Sequence, residues 1–289
     1  MELNHVATRE GRLSSLLREE MKLSAGLMNR LKWDDRILVN GQSQHTDYPV
    51  KIGDTITILM DEPKPQYPAE DGELRVIFED DYILAVDKPA GMLIHPSRSR
   101  DKGTLANLVI GYYQKNGLPC AFHPVTRLDR DTFGIVLLAK NAYAHALLQA
   151  APLQKTYHAL TFGGPEKDAG IIDAPIQRLP LPSLLRQVHP DGKPSRTQFV
   201  VLVRHKNACK LALAPITGRT HQLRVHCAYM GFPILGDPQY ASEASQIFSA
   251  NLALAYQQLC AKQLDFNHPI TGEHLTLESK MDVQDCSVF

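Results

Sequence analysis

The chain has 289 residues, 44% of them hydrophobic, and carries 31 basic and 31 acidic side chains, for a formal net charge of zero. That length and apolar content suit one or two globular domains with a sizeable core, and the neutral balance argues against a protein that holds nucleic acid through a whole-molecule basic field. No apolar run approaches the ~20 residues needed to cross a bilayer. Cys120, Cys209, Cys227, Cys260 and Cys286 are scattered without a C-x-x-C pair, which argues against both a disulfide framework and a zinc site.

The N-terminal MELNHVATREGRL lacks the apolar stretch of a secretory signal, so a cytoplasmic location is expected. Leu13, Leu16, Leu17, Met21, Leu27, Met28 and Leu31 recur at helical spacing with a break at Ser24–Gly26, which predicts two short helices. Ile37–Val39 and Thr55–Leu59 read as strands, with turns at Asn40–Gly41 and Gly53–Asp54. Basic and acidic residues nearly balance over residues 12–60, but Lys22, Arg30, Lys32 and Arg36 gather around the second helix as a candidate RNA-binding face. A solvated helix surface is the plainer alternative. Pro63, Pro65 and Pro68 mark residues 63–73 as a linker between a unit at 1–62 and a larger domain at 74–289.

Within the larger domain, Val76–Phe78 and Ile83–Val86 form a predicted hairpin around Asp80–Asp81, followed by a turn at Lys88-Pro-Ala-Gly91. Thr104 is placed to cap a helix running to Gln114 and ended by Gly117. Strands follow at Ile135–Ala139, at Thr156–Gly163 with Tyr157, Ala159 and Thr161 on one face, at Thr197–Val203 and at Leu211–Ala214. Thr220 is the expected N-cap of a short helix over Leu223–Ala228 that stops at Gly231, and a longer helix is expected over Ala244–Leu259. Residues 267–279 read as a turn and an alternating strand. Many strands separated by short turns predict an α+β domain: a mixed, largely antiparallel sheet with peripheral helices, beside a small N-terminal α/β unit.

The chemistry concentrates in residues 123–140, HPVTRLDRDTFGIVLLAK. Asp129 stands between Arg127 and Arg130, directly before an apolar run, so one carboxylate is held at the rim of a core. The flanking cations suit its ionised form, and an ionised carboxylate is a potential nucleophile. A structural ion pair would use the same residue types. Tyr157 offers a ring face at a sheet rim. Arg219 and Arg224 are equally compatible with phosphate binding and with plain surface charge, and Gly236–Asp237 reads as a turn. His221 and His226 stand five apart, which is not the spacing of two metal ligands on one helix face, so no metal is expected.

The string RLDRDTFG at 127–134 resembles the R-L-D-R-D-T-x-G signature of RluA-type pseudouridine synthases, with Thr126 and Phe133 at positions where that family often has His and Ser. KPAG at 88–91, KTY at 155–157 and RTHQLRVH at 219–226 resemble further motifs of the same family, in the same order, so that the likeness spans about 75–280. It implies an isomerase that converts uridine to pseudouridine within structured RNA without a cofactor, since nothing is oxidised and no group is imported. It implies that Asp129 acts on the ribose, either attacking the anomeric carbon or removing a proton from its neighbour. Tyr157 would lie against the uracil and Arg224 would pair with Asp129. Leu223 would pack beside the pocket, Arg219 and His221 would support it, and Arg127 would fill the place left by an extruded uridine. The N-terminal helix–helix–sheet pattern resembles the alpha-L RNA-binding domain. That layout implies action on large-subunit ribosomal RNA, with transfer RNA as the alternative, and a monomer is expected. A non-catalytic RNA-binding or ribosome-associated protein, and an N-glycosidase that releases the base, are the competing readings.

Overall fold

A computed structural model describes residues 2–60, 65–97 and 100–285. Pro63 and Cys286 lie outside them.

The N-terminal unit contains strands β1 (Glu2–Val6), β2 (Gly11–Arg12), β3 (Ile37–Val39), β4 (Gln42–Ser43), β5 (Pro49–Val50) and β6 (Thr55–Leu59) and helices α1 (Leu13–Glu19) and α2 (Ala25–Trp33). The break between the two helices falls where Ser24 accepts a hydrogen bond from the Leu27 amide and caps α2. A four-stranded sheet in the order β1-β6-β3-β4 covers both helices. Their leucines pack against Ile37, Val39, Ile56 and Ile58 in one apolar cluster.

The larger part begins with the hairpin β7 (Arg75–Glu79) and β8 (Ile83–Lys88), then helix α3 (Leu105–Lys115), β9 (His123–Pro124), β10 (Phe133–Ala139), helix α4 (Ala142–Ala150) and β11 (Gln154–Phe162). It continues through β12 (Ala169–Asp173), β13 (Ile176–Arg178), β14 (Arg186–Val188), β15 (Arg196–His205) and β16 (Ala208–Pro215). Helices α5 (Gln222–Tyr229) and α6 (Glu243–Asn251) and strands β17 (Leu259–Asn267) and β18 (His274–Glu278) complete it. Ten strands form one sheet along the path β12-β15-β16-β11-β17-β10-β8-β7, with β18 added to β17 and β9 to β10. Only the β10–β17 pair is parallel among the described strands, so the sheet is mixed and largely antiparallel.

The unbroken apolar runs in β8 and β10 follow from burial on both faces. Ile83, Ala85, Ile135 and Leu137 face α4 through Ala144 and Leu148. Leu84, Val86, Val136 and Leu138 face α3 through Leu105, Val109 and Ile110. Thr104 caps α3 in a reciprocal box with Asn107, as its position predicted. Gly134 sits where β10 meets β17 with φ +104°, and a Cβ there would come within 2.4 Å of the Ala261 carbonyl oxygen. Backbone on both sides leaves nowhere to yield, so Gly134→Ala is expected to cost more than about 3 kcal/mol. Urea denaturation with an unchanged midpoint would contradict this.

Two helix expectations are corrected. The run from Ala244 does not stay helical to Leu259: α6 ends at Asn251, Ala253 takes a left-handed conformation at φ 51°, and Leu259 opens the central strand β17. Thr220 does not cap α5. His221 holds that position at φ 57° without a side-chain cap bond. The turn is instead locked by Gln222, whose Oε1 accepts from Thr217 Oγ1 and the Arg219 amide while its Nε2 donates to the Arg196 carbonyl and Thr197 Oγ1.

The two parts meet at α4. Tyr143 belongs to the N-terminal apolar cluster and donates its hydroxyl to the Met21 carbonyl at 2.7 Å, with Leu147 and Ile270 packed beside it.

Candidate active site

Asp129 stands in the loop between β9 and β10, on a turn closed by the Thr132 amide donating to the Asp129 carbonyl at 3.2 Å. Two buried contacts fix that turn from below. Lys88 Nζ donates to the carbonyls of Pro89, Met92 and Arg130, each at 2.9 Å, tying the KPAG turn to the aspartate loop. Burial pushes the Lys88 ammonium down to about 7, with the carboxylates of Asp131 and Asp129 pulling the other way. Gln257, just before β17, donates to the Thr132 hydroxyl.

Arg224 on α5 supplies the cation. Its guanidinium is 5% exposed and clamped: Nε and Nη2 donate to the two oxygens of Asp237 at 2.7 and 2.8 Å, and Nη2 also donates to Gln239 Oε1 at 2.8 Å. The Tyr240 ring lies under it, 4.9 Å from the guanidinium carbon to the ring centre. One remaining donor, Nη1, reaches Asp129 Oδ2 at 3.1 Å. Burial works against the Arg224 charge, but the hydrogen bonds and charge of Asp237, followed by Asp129, outweigh it and raise its pKa. A planar fork fixed on two sides delivers its third contact with little freedom of aim.

His221 Nε2 is 3.8 Å from Asp129 Oδ2, and its Nδ1 is 2.8 Å from the Tyr240 hydroxyl. The Tyr240 oxygen already accepts the Arg186 amide, so its proton is available to Nδ1, which favours the tautomer with Nε2–H toward Asp129. Tyr157 lies within β11, at a bulge between Thr156 and Tyr157 in its pairing with β17. Burial first, and then the Asp129 carboxylate, push its phenol above the ordinary range. Its hydroxyl has no hydrogen-bond partner among the described residues.

Asp129, Tyr157, Arg224, Leu223, Arg127, Arg219 and His221 all line one open cleft of about 1170 Å³. That exceeds the roughly 300–1,000 Å³ of small-ligand pockets and leaves room for more than a nucleoside. Its charge is one-sided: Arg127, Arg130, Lys155, Arg219 and Arg224 line it, and Asp129 is the one carboxylate doing so among the described residues. The neutral chain therefore carries a basic cleft. Lys22, Arg30, Lys32 and Arg36 lie outside its lining, on the N-terminal unit, although the charge of Arg30 is felt by His123 at the cleft wall.

Three sequence expectations change here. The cations flanking Asp129 do not pair with it: Arg130 is turned to Asp131 at 2.8 and 2.9 Å, and Arg127 makes no ion pair among the described residues. The partner comes from 95 residues away. Asp237, read as a turn former, is 2% exposed and is the main partner of Arg224, while also accepting from the amides of Gln239 and Tyr240. Lys88, read as part of a loop, is fully buried. An acidic residue after a glycine is too common a pattern to have singled out Asp237.

Histidines give the site and its surroundings a pH signature. Burial lowers His95, His123, His221 and His226, His123 to about 4 from an ordinary 6.5. His226 shows why: fully buried, it joins Thr197 Oγ1 and the Ala174 carbonyl at 2.9 Å each, an arrangement a neutral ring satisfies. Such bases bind protons more readily in the unfolded chain, so stability is complete above about 6.5 and is lost as pH falls toward 4. The urea midpoint is expected to drop clearly between pH 7 and pH 5, and an unchanged midpoint would contradict that.

A mixed sheet with an open basic cleft, in which a clamped guanidinium meets the one carboxylate of the lining among the described residues, suits an enzyme that handles a polyanion. Residues 82–229 match the family model described as RNA pseudouridylate synthase. An uncharacterised RNA pseudouridine synthase of Bacillus subtilis (strain 168), YjbO, is 34% identical over 93% of this chain and 94% of its own. The ribosomal large subunit pseudouridine synthase C of Vibrio cholerae is 30% identical over 94% and 90% respectively, and synthase D of Nitrosomonas europaea 37% over 79% and 69%. Human RNA pseudouridylate synthase domain containing 1 shares the fold with a TM-score of 0.58 over 76% of this chain and 95% of its own, at 23% identity. The chain belongs to the RNA pseudouridine synthase family, of the RluA type, and is an RNA isomerase. No helix among the described residues is long and apolar enough to cross a membrane, and no group of three or more His, Cys, Asp or Glu among them could hold a metal ion.

Proposed function

We propose that this enzyme isomerises specific uridines of large-subunit ribosomal RNA in the cytoplasm, as a monomer, with Asp129 as the catalytic carboxylate. The N1–C1′ bond of uridine breaks, the uracil turns, C5 bonds to C1′, and the C5 proton leaves while N1 gains one. No oxidant or imported group enters that balance. Asp129 acts on the ribose, and attack at C1′ and proton removal at C2′ both start from the same contact. The observation that carries this reading is the Arg224 clamp: Asp237, Gln239 and the Tyr240 ring hold the guanidinium so that its free donor meets Asp129 inside the open cleft.

Tyr157 holds the detached uracil by its ring face, with Leu223 beside it, and its phenol is the candidate for receiving the C5 proton. A uridine must leave its stack to reach this floor, at a cost of a few kcal/mol, and the unpaired Arg127 takes its vacated place. Arg219 and His221 support the site, Arg219 through the Pro194 carbonyl and His221 through Tyr240. Residues 1–62 act as an alpha-L type RNA-binding domain, joined through 63–73 to the catalytic domain at 74–289, and Lys22, Arg30, Lys32 and Arg36 contact RNA outside the cleft.

Ribosomal RNA is favoured over transfer RNA by the relatives whose names specify the ribosomal large subunit and that align with most of this chain. Chemical mapping of pseudouridines in total RNA from cells with and without the gene tests this. A site lost from large-subunit ribosomal RNA is expected. A loss confined to transfer RNA, or no loss at all, would overturn the target.

A further inference from the structure

We propose that Lys155, which lines the cleft two residues before Tyr157, binds a phosphodiester of the RNA strand next to the target uridine. The proposal rests on the reading of the cleft as the uridine site and assigns a place to the neighbouring backbone.

Lys155 stands two residues before Tyr157 on β11 and lines the same cleft. Its side chain is half-buried, yet it makes no hydrogen bond or ion pair among the described residues. The other cations of the lining differ from it. Arg224 is clamped, Arg130 holds Asp131, Arg219 donates to a carbonyl, and Arg127 is unpaired but exposed to water. Burial alone lowers the Lys155 ammonium, and no nearby carboxylate opposes it. A partly desolvated ammonium without a counter-charge is unfavourable, and an anion entering from solvent relieves it.

A second observation concerns another part of the same lining. His123 Nε2 is buried without a hydrogen-bond partner among the described residues, and its ring lies 5.6 Å from that of His145 between centres, tilted by 36°. The charge of Arg30 is felt at His123, so the cleft lining offers an unpaired ammonium and positive potential to a ligand that brings negative charge. Two anions fit that chemistry: a backbone phosphate, and the uracil anion formed when the glycosidic bond breaks. Distance favours the phosphate. At roughly 3.3 Å per strand residue, Lys155 is set about 7 Å along β11 from the tyrosine that faces the base.

Lys155→Met and Lys155→Gln should be compared with wild type and Lys155→Arg, using unmodified transcripts of large-subunit ribosomal RNA and transfer RNA. Both neutral variants are expected to bind about tenfold more weakly at low salt. Their log–log salt slope should be shallower by about 0.7, the value for one phosphate on a single strand. The single-turnover rate at saturating RNA should stay within about twofold of wild type, and Lys155→Arg should retain binding. An unchanged salt slope overturns the proposal. So does unchanged affinity with a single-turnover rate lowered 100-fold or more, which would assign the ammonium to the uracil anion. Should Lys155→Met fail to fold, Lys155→Gln carries the same comparison. Absence of turnover by wild type on either transcript would count against the reading of the site itself, while the salt slopes still decide the phosphate contact.

Discussion

Asp129→Asn is expected to abolish pseudouridine formation, by a factor of about 10⁴ or more, while RNA affinity changes less than about threefold and thermal stability stays close to wild type. Asparagine keeps the shape and can still accept the Arg224 Nη1 hydrogen bond, so the guanidinium is not left unpartnered. Arg224 also retains both oxygens of Asp237, which hold it in place without Asp129. What the substitution removes is the negative oxygen that acts on the ribose, and losing a group that works only in the chemical step lowers turnover rather than binding. Pseudouridine yield per enzyme and filter-binding affinity, measured on the same transcript, separate the two effects. Turnover surviving within tenfold would remove Asp129 from the mechanism.

The second large effect is expected at a residue that never touches the substrate. Asp237→Ala leaves the buried Arg224 guanidinium with Gln239 and Asp129 as its remaining hydrogen-bond partners, and breaking a buried ion pair by deleting one side costs about 3–5 kcal/mol. Arg224 is then free to swing toward Asp129, closing down on the carboxylate it should present. Turnover should fall at least 100-fold with a smaller change in RNA affinity, and the urea midpoint should drop sharply. Asp237→Asn keeps one acceptor and two amide contacts, so it should lie between wild type and alanine in both measurements. Wild-type stability in the alanine variant would contradict the clamp.

These two positions illustrate what was legible in the chain. Asp129 stood out because the contiguous string RLDRDTFG resembles the signature of one family; its charged neighbours and the following apolar run alone fitted a structural ion pair equally well. Tyr157, Leu223 and Arg224 stood in motifs resembling those of one family, and the fold brings all three to the same cleft. Asp237 could not be read, because its role depends on a contact made across the turn after α5 and nothing in its own neighbourhood distinguishes it. The electrostatics also misled locally. Adjacent residues on a loop point in different directions, so Arg130 met Asp131 and left Asp129 to a cation on another element.

The sheet class followed from strand runs, but the order of strands did not. β17, which joins β11 to β10 at the centre, was not read as a strand: the expected helix ran on to its first residue, Leu259, because the stop after α6 is made by Ala253 with no glycine or proline to announce it, and residues 260–266 were assigned to no element. The four-stranded edge of the N-terminal unit likewise includes β1, whose half-exposed residues give a weak alternation. The basic cleft was invisible to composition for a different reason. Net charge sums over the whole surface, whereas the cations of the cleft come from three separate stretches of chain.

The most direct test of the central claim uses transcripts labelled with tritium at uridine C5, incubated with wild type and with Asp129→Asn. One tritium should be released for each uridine converted by wild type, with no change in the mass of the RNA chain beyond the exchanged label and no free uracil, and none should be released by the variant. Release by Asp129→Asn, or free uracil in the wild-type reaction, would contradict a carboxylate at position 129 acting on the ribose of a uridine whose base is retained.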